Sequence, residues 1–425
     1  MPLNLQKIQR LILILGWLTP AAEAQTSANL FHFLKNTKLN SPVLKSQEAQ
    51  AAAQGYAKSR ADAGWYPTLA VEGSRLHDLP LTEREMTRSS DSLQLQLGVL
   101  QPLYDEKLPR TQERESLLGK RARAQVEDAT ERLLFETGTA FFTLAQYLAE
   151  AALKTQQLTL QLEEEAVIQR RIRLGELNLT NASQIHSQIE RSRANIALLK
   201  NKIMEQKLNL YRLCLCPVPE TLQLPPESVW AKALESRPNA STPLLNVSKA
   251  DIEVAQADLR LIQSKTRPTL QLEGLLYRDF MDENQGVRSS LALNFVWPID
   301  AARVTQHESS QASSLLQSAR LNLQAQQSDL LSNQQIARER LRVLLDSRRF
   351  FESALQSARE HFQHTKRQFA EGANTQSELF LAQDNLFQAE SDLLGHTFES
   401  WLAYWNLIFY RDSVSRLLQE TGEGG

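Results

Sequence analysis

Two cysteines in 425 residues leave no disulfide framework, and a single residue separates Cys214 from Cys216, a spacing expected to strain a mutual bond. The pair reads instead as two small buried thiols at a helix end. Glycine and proline are scarce at 15 each, and long stretches contain neither, so a long chain with few turns must be built of long elements. Excess charge of one sign is also missing. The 47 Lys plus Arg nearly balance 49 Asp plus Glu, giving a net −2, and no nucleic-acid partner is expected of such a chain. No phosphate-cradling glycine loop, nucleophile elbow or zinc-protease helix occurs, so neither enzyme activity, nor a cofactor, nor a resident metal is expected. What is present, 42% hydrophobic residues with 7% aromatics, is ample for a folded chain.

The N-terminus carries an export signal pattern. Lys7 and Arg10 precede the apolar run Leu11 to Leu18, and Ala22-Glu23-Ala24 supplies the small-x-small sequence of a cleavage site, so residues 1–24 read as a signal peptide. The run is too short for a membrane helix, which needs roughly 20 apolar residues. No cysteine follows the cleavage site for lipid attachment. Beyond it no segment approaches a membrane helix. The mature chain is then soluble outside the cytoplasm or inserts as β-structure, the other form that satisfies its backbone in lipid.

The chain is internally duplicated. Pro67-Thr-Leu-Ala-Val-Glu-Gly73 matches Pro268-Thr-Leu-Gln-Leu-Glu-Gly274 at five of seven positions, 201 residues later. Leu95 to Leu103 likewise matches Leu291 to Ile299, and Gly175 has its counterpart in Gly372, in the same order along the chain.

Each repeat holds two alternating, strand-like segments of about nine to eleven residues, the length of a tilted strand crossing a bilayer. They are expected at about 68–76 and 92–101, and at 269–277 and 290–299, with Leu93, Leu95, Leu97 and Val99 giving the clearest period of two. Pro67, Pro102, Pro268 and Pro298 mark where these strands begin and end. Polar turns from His77 to Asp91 and from Asp279 to Ser289 make two hairpins. Aromatic residues, among them Trp65, Tyr66, Tyr277 and Trp297, gather near the strand ends, as at a membrane interface. The hairpins alone fit a soluble four-stranded sheet equally well, and the export signal favours the outer membrane.

The remainder reads as helix, at about 105–174, 181–213, 301–371 and 375–417, rich in Ala, Leu, Gln, Glu and Arg. At ~1.5 Å per residue the longest stretch extends on the order of 100 Å, and such a rod needs lateral partners for its apolar seam. Each long helix is expected to fold back at a glycine, Gly175 or Gly372. Residues 25–213 form a first repeat, 214–243 an irregular equatorial linker, 244–418 a second repeat and 419–425 a flexible tail.

This duplicated plan, with Gly175-Glu-Leu-Asn-Leu-Thr-Asn-Ala-Ser-Gln184 and Phe369-Ala-Glu-Gly-Ala-Asn-Thr-Gln-Ser-Glu378 at the helix turns, resembles the TolC-type outer-membrane efflux proteins over about residues 29–418. The resemblance implies a mostly α fold with a small β part, in which a transmembrane β-barrel and a long α-helical barrel are assembled as a homotrimer. It implies an exit duct in outer-membrane lipid, for efflux of small molecules or secretion of polypeptides, that works with a periplasmic adaptor (membrane fusion) protein and an inner-membrane transporter. It also places Gly175, Asn181, Gly372 and Glu378 at the periplasmic pore tip, with Glu378 where the family has an acid and Asn181 where an acid is often found. The alternative reading is a periplasmic coiled-coil protein, structural or adaptor-like. Arg170, Arg171 and Arg173 are read mainly as a wet charged face, with pairing across helices at a shut tip as the alternative, His361 and His364 as a solvated or inter-helix pair, and the aromatics from Phe398 to Tyr410 as core of the last helix.

Overall fold

A computed structural model describes residues 28–77, 91–176, 179–235, 243–280, 286–300, 303–411 and 413–422. The expected signal peptide lies outside the described residues, as do most of the two polar hairpin turns.

The duplication is visible in element lengths. Helices α1 (Leu30–Asn40) and α2 (Pro42–Asp62) follow a short strand β1 (Ala28–Asn29) and lead to the hairpin β2 (Thr68–His77) and β3 (Asp91–Asp105). Helix α3 (Lys107–Arg173) has 67 residues and α4 (Leu179–Cys214) has 36. The second repeat gives α6 (Asn246–Ser264), β5 (Thr269–Asp279), β6 (Arg288–Val296), then α7 (Val304–Ala370) and α8 (Gln376–Arg411), again with 67 and 36 residues. Between the repeats stand β4 (Leu222–Gln223) and α5 (Ser228–Glu235), so the linker is less irregular than its composition suggests. A last helix, α9 (Val414–Gly422), occupies ground where a single helix to 417 and a flexible tail were expected.

Both 67-residue helices begin at an aspartate left behind by the strand. Asp105 Oδ1 accepts the backbone N–H of Lys107, and the Asp300 carboxylate accepts those of Val304 and Thr305, each at 2.8 Å. An acidic acceptor at a helix N-terminus satisfies donors that have no intrahelical partner and meets the positive end of the dipole.

Contacts divide the chain into two compact units that do not coincide with the repeats. One comprises residues 42–132 and 239–334, the other residues 1–41, 133–238 and 335–425. In the first, the strands form one antiparallel sheet in the order β2-β3-β5-β6, with the two hairpins joined through β3 and β5. Helix pairing follows the same lateral order. Gln54 of α2 bonds Glu115 of α3, α3 meets α6 through Arg114–Asp258 and Arg121–Asp251, and Lys265, just beyond α6, meets Glu308 of α7.

The second unit holds the aromatic core. Phe33, Phe141, Phe142, Trp401 and Trp405 are fully buried, with Phe142 stacked on Trp401 at 5.4 Å and Trp230 set edge-on to Trp401 at 4.8 Å. Trp405 donates its indole N–H to the Phe135 carbonyl at 2.9 Å. Gly138 is required beneath it, because a Cβ there would lie 2.2 Å from the Trp405 ring.

Two expectations need correction. Pro102 does not end its strand: β3 continues to Asp105, and the pairing of β3 with β5 shifts register between Pro102 and Tyr104. A bulge accommodates a residue that has no N–H for the ladder. Cys214 and Cys216 are buried at the end of α4 as foreseen, but they are bonded to one another. Leu215 takes a left-handed conformation, φ 50°, which sets the two Cα atoms 5.2 Å apart, inside the usual disulfide range.

Candidate functional site

The sheet has two chemically different faces, and the pairing register assigns each residue to one of them. Leu69 faces Val99, Val71 faces Leu97, Leu97 faces Leu276, Leu272 faces Leu293 and Leu270 faces Phe295, so one side is almost wholly apolar. That side is open: Leu69 is 71% exposed and Leu293 62%. The opposite side is mixed: it carries Thr68, Glu72, Gln96, Gln271, Glu273 and Asn294 beside Ala70, Leu100, Leu275 and Val296, and lines a shallow cleft of about 240 Å³ between Glu72 and Glu273. Asn294 donates to Glu273 at 2.7 Å. Period-two alternation is the cause, since successive side chains point to opposite faces.

At the strand ends, Pro67 and Pro268 each precede a strand by one residue, where a missing N–H costs nothing, and Pro298 follows β6 by two. Trp65 lies in a short 3-10 turn, Ala63–Trp65, and Tyr66 and Trp297 are exposed. Tyr277 accepts from Arg288 across the β5–β6 pair at 3.2 Å.

The two helix turns share one geometry. Gly175 and Gly372 have φ 78° and 80°, the left-handed conformation that glycine adopts without penalty. In the first turn Gly175 N–H reaches the Ile172 carbonyl and Glu176 N–H that of Arg171. In the second Gly372 reaches Phe369 and Ala373 reaches Gln368. Each is a Schellman motif, which satisfies carbonyls that the ending helix leaves open.

Beyond these turns the returning helices differ. Thr375 and Glu378 form a reciprocal capping box: Glu378 N–H donates to Thr375 Oγ1, and the Glu378 carboxylate accepts the Thr375 backbone N–H at 2.7 Å. The Thr375 backbone bond, followed by its hydroxyl bond, holds the Glu378 carboxyl below the ordinary carboxylate range. The Thr375-x-x-Glu378 spacing was the available sequence signal for this role. Asn181 falls in the first turn of α4.

Arg171 is not merely a wet charge. Its guanidinium stacks on the Phe369 ring at 4.6 Å and points at the Phe369 and Ala370 carbonyls, both at 3.4 Å, at the C-terminus of α7. A cation there meets the negative helix end. Nearby, α3 packs against α4 through Ile168, Ile185 and Ile189, with Phe380 of α8 in the same cluster, and α8 packs against α7 through Leu379 and Phe369. A cleft of about 220 Å³ opens among Ile168, Phe369, Phe380, Glu164 and Lys366, and burial pushes the Glu164 carboxyl upward. His361 and His364 are exposed, and among the described residues no cluster of metal-binding side chains occurs.

Residues 234–398 match the family model described as outer membrane efflux protein. No curated relative matches the chain. Among solved structures, CusC, described by transmembrane channel formation, is 15% identical with a TM-score of 0.80, covering 91% of this chain and 92% of that one. VceC of Vibrio cholerae, an outer membrane protein, is 14% identical with a TM-score of 0.75 over 90% and 95% of the two chains. The Campylobacter jejuni CmeC outer membrane channel gives 14% identity, 0.75, and coverage of 90% and 85%. At such identities the likeness is one of fold. No helix among the described residues is long and apolar enough to cross a membrane.

Proposed function

We propose that three copies of this chain close into one outer-membrane channel-tunnel, an exit duct for small molecules or polypeptides that works with a periplasmic adaptor and an inner-membrane transporter. A single observation carries the reading: the sheet is open at β2 and β6, and the helices attached to those strands, α2 and α7, are the outer members of the helix order in the same unit. An edge strand in lipid would leave a row of backbone groups without partners, so β6 of one copy must meet β2 of the next until the ring closes. Such contacts are head-to-tail, and a closed ring results when the rotation returns to its start.

The helical unit supports the same assembly. Here α4 and α7 flank α3 and α8, and both carry exposed apolar side chains: Met204, Leu208 and Tyr211 on α4, and Ile336, Val343 and Phe350 at heptad spacing on α7. In the closed ring the apolar sheet face meets lipid, with Trp65, Tyr66, Tyr277 and Trp297 near its borders, and the face bearing Glu72 and Glu273 lines the lumen. Gly175, Asn181, Gly372 and Glu378 belong to the periplasmic turns that narrow the duct. Extraction from membranes decides the matter. The expected product requires detergent, runs as a heat-resistant trimer and opens channels in a planar bilayer, whereas a monomer released with soluble periplasm refutes the duct.

A further inference from the structure

We propose that the Cys214–Cys216 bond is a covalent C-cap for α4, made during folding, and that this chain is therefore a client of a dithiol–disulfide oxidase. The turns that end the two 67-residue helices show what the cap replaces. Helices α3 and α7 end on glycines in the left-handed conformation, Gly175 and Gly372. Helix α4 ends on Cys214-Leu215-Cys216-Pro217 with no glycine, yet Leu215 adopts the same handedness, φ 50°, with its side chain 43% exposed. Leu215 N–H still reaches the Tyr211 carbonyl at 2.7 Å, and Cys216 N–H points at Cys214 Sγ at 3.2 Å. The disulfide holds a leucine where glycine would otherwise be favoured. It also directs the strap that follows, in which β4 pairs in parallel with β1 and Trp230 of α5 reaches Trp401.

Cys214 is fully buried and Cys216 nearly so. An oxidant cannot reach them once α4 is seated, so the bond must form first. One cysteine thiolate attacks the oxidase disulfide to give a mixed disulfide. The second thiolate then displaces the oxidase, which leaves as a dithiol carrying the two electrons and, exchanged through water, the two thiol protons. This order rests on the proposed outer-membrane reading, under which the chain folds in an oxidising compartment.

The test uses the full chain extracted in detergent. Denatured without reductant, it is expected to take up no maleimide, and two labels after reduction; two labels without reduction overturn the proposal. In the native protein the bond is expected to resist dithiothreitol until denaturant is added, and reduction at the unfolded rate overturns the folding-stage order. A Cys214→Ser/Cys216→Ser variant should be cleaved about tenfold faster within residues 217–223, because local opening exposes the strap. Adding Leu215→Gly to that variant should restore resistance. Wild-type cleavage of the double variant, or no recovery with glycine, overturns the capping role.

Discussion

The sheet and the aromatic core spend the same kind of residue in opposite ways. Trp401 and Trp405 are 1% exposed, packed among Phe142, Trp230 and Phe135, whereas Leu69, Val71, Leu293 and Phe295 lie open on one side of a sheet whose polar residues are gathered on the other. A water-soluble sheet would turn its leucines inward against a helix layer. Here no element among the described residues covers them, and in the proposed duct hydrocarbon supplies the apolar medium.

Substitutions in the two regions should therefore fail for different reasons. Trp401→Ala is expected to be the most damaging, destabilising by about 3–5 kcal/mol through lost burial and a cavity, seen as a lowered melting temperature in detergent. Leu293→Arg on the apolar sheet face should cost about 2–4 kcal/mol if that face lies in lipid, and reduce membrane-inserted trimer. Its neighbour Asn294→Arg, on the opposite face beside Glu273, should insert normally, and equal tolerance of both substitutions would break the comparison. Gly138→Ala should cost about 1–3 kcal/mol by overpacking against Trp405, measurable by denaturant unfolding. At the helix turns Gly372→Ala places a Cβ in a left-handed residue, an expected loss of about 1–2 kcal/mol with no steric neighbour to blame, and Gly175→Ala should match it.

The smallest expected effect is pH dependence at the start of α8. The Glu378 carboxyl lies below its unfolded value because Thr375 bonds the charged form. Its contribution is thus fully present above the unfolded carboxylate pKa and fades as pH falls through the lower folded one. Amide exchange in the first turn of α8 should speed up over that acidic window in the wild-type chain. In Glu378→Gln the same dependence should be absent, and a persistent one would assign it elsewhere.

Much of this was legible in the chain because it is written locally. Alternation at Leu93 to Val99 made a strand, absence of proline through residues 111–216 allowed long helices, and Gly175 and Gly372 marked the turns because a left-handed residue favours glycine. The pairing at Thr375 and Glu378 was legible too, as a Thr-x-x-Glu spacing, but the carboxylate drew attention as a charge in a pore and not as a helix cap. A cross-helix role for Arg171 was legible only as an alternative and its partner not at all, since Phe369 lies 198 residues away and only the packed helices bring them together. Pro102 looked like a strand end because a bulge depends on the partner strand.

Sequence alone determined the elements, their duplication and which residues alternate, because propensity, period and turn chemistry act over a few residues. Tertiary structure decided the rest: the union of two hairpins through β3 and β5, the bulge at Pro102, the closure of Cys214 onto Cys216 and the seat of Trp405 over Gly138. Each of these depends on the distance between groups that the chain separates or that a backbone turn must bring together, and such distances exist only once the helices and strands have packed.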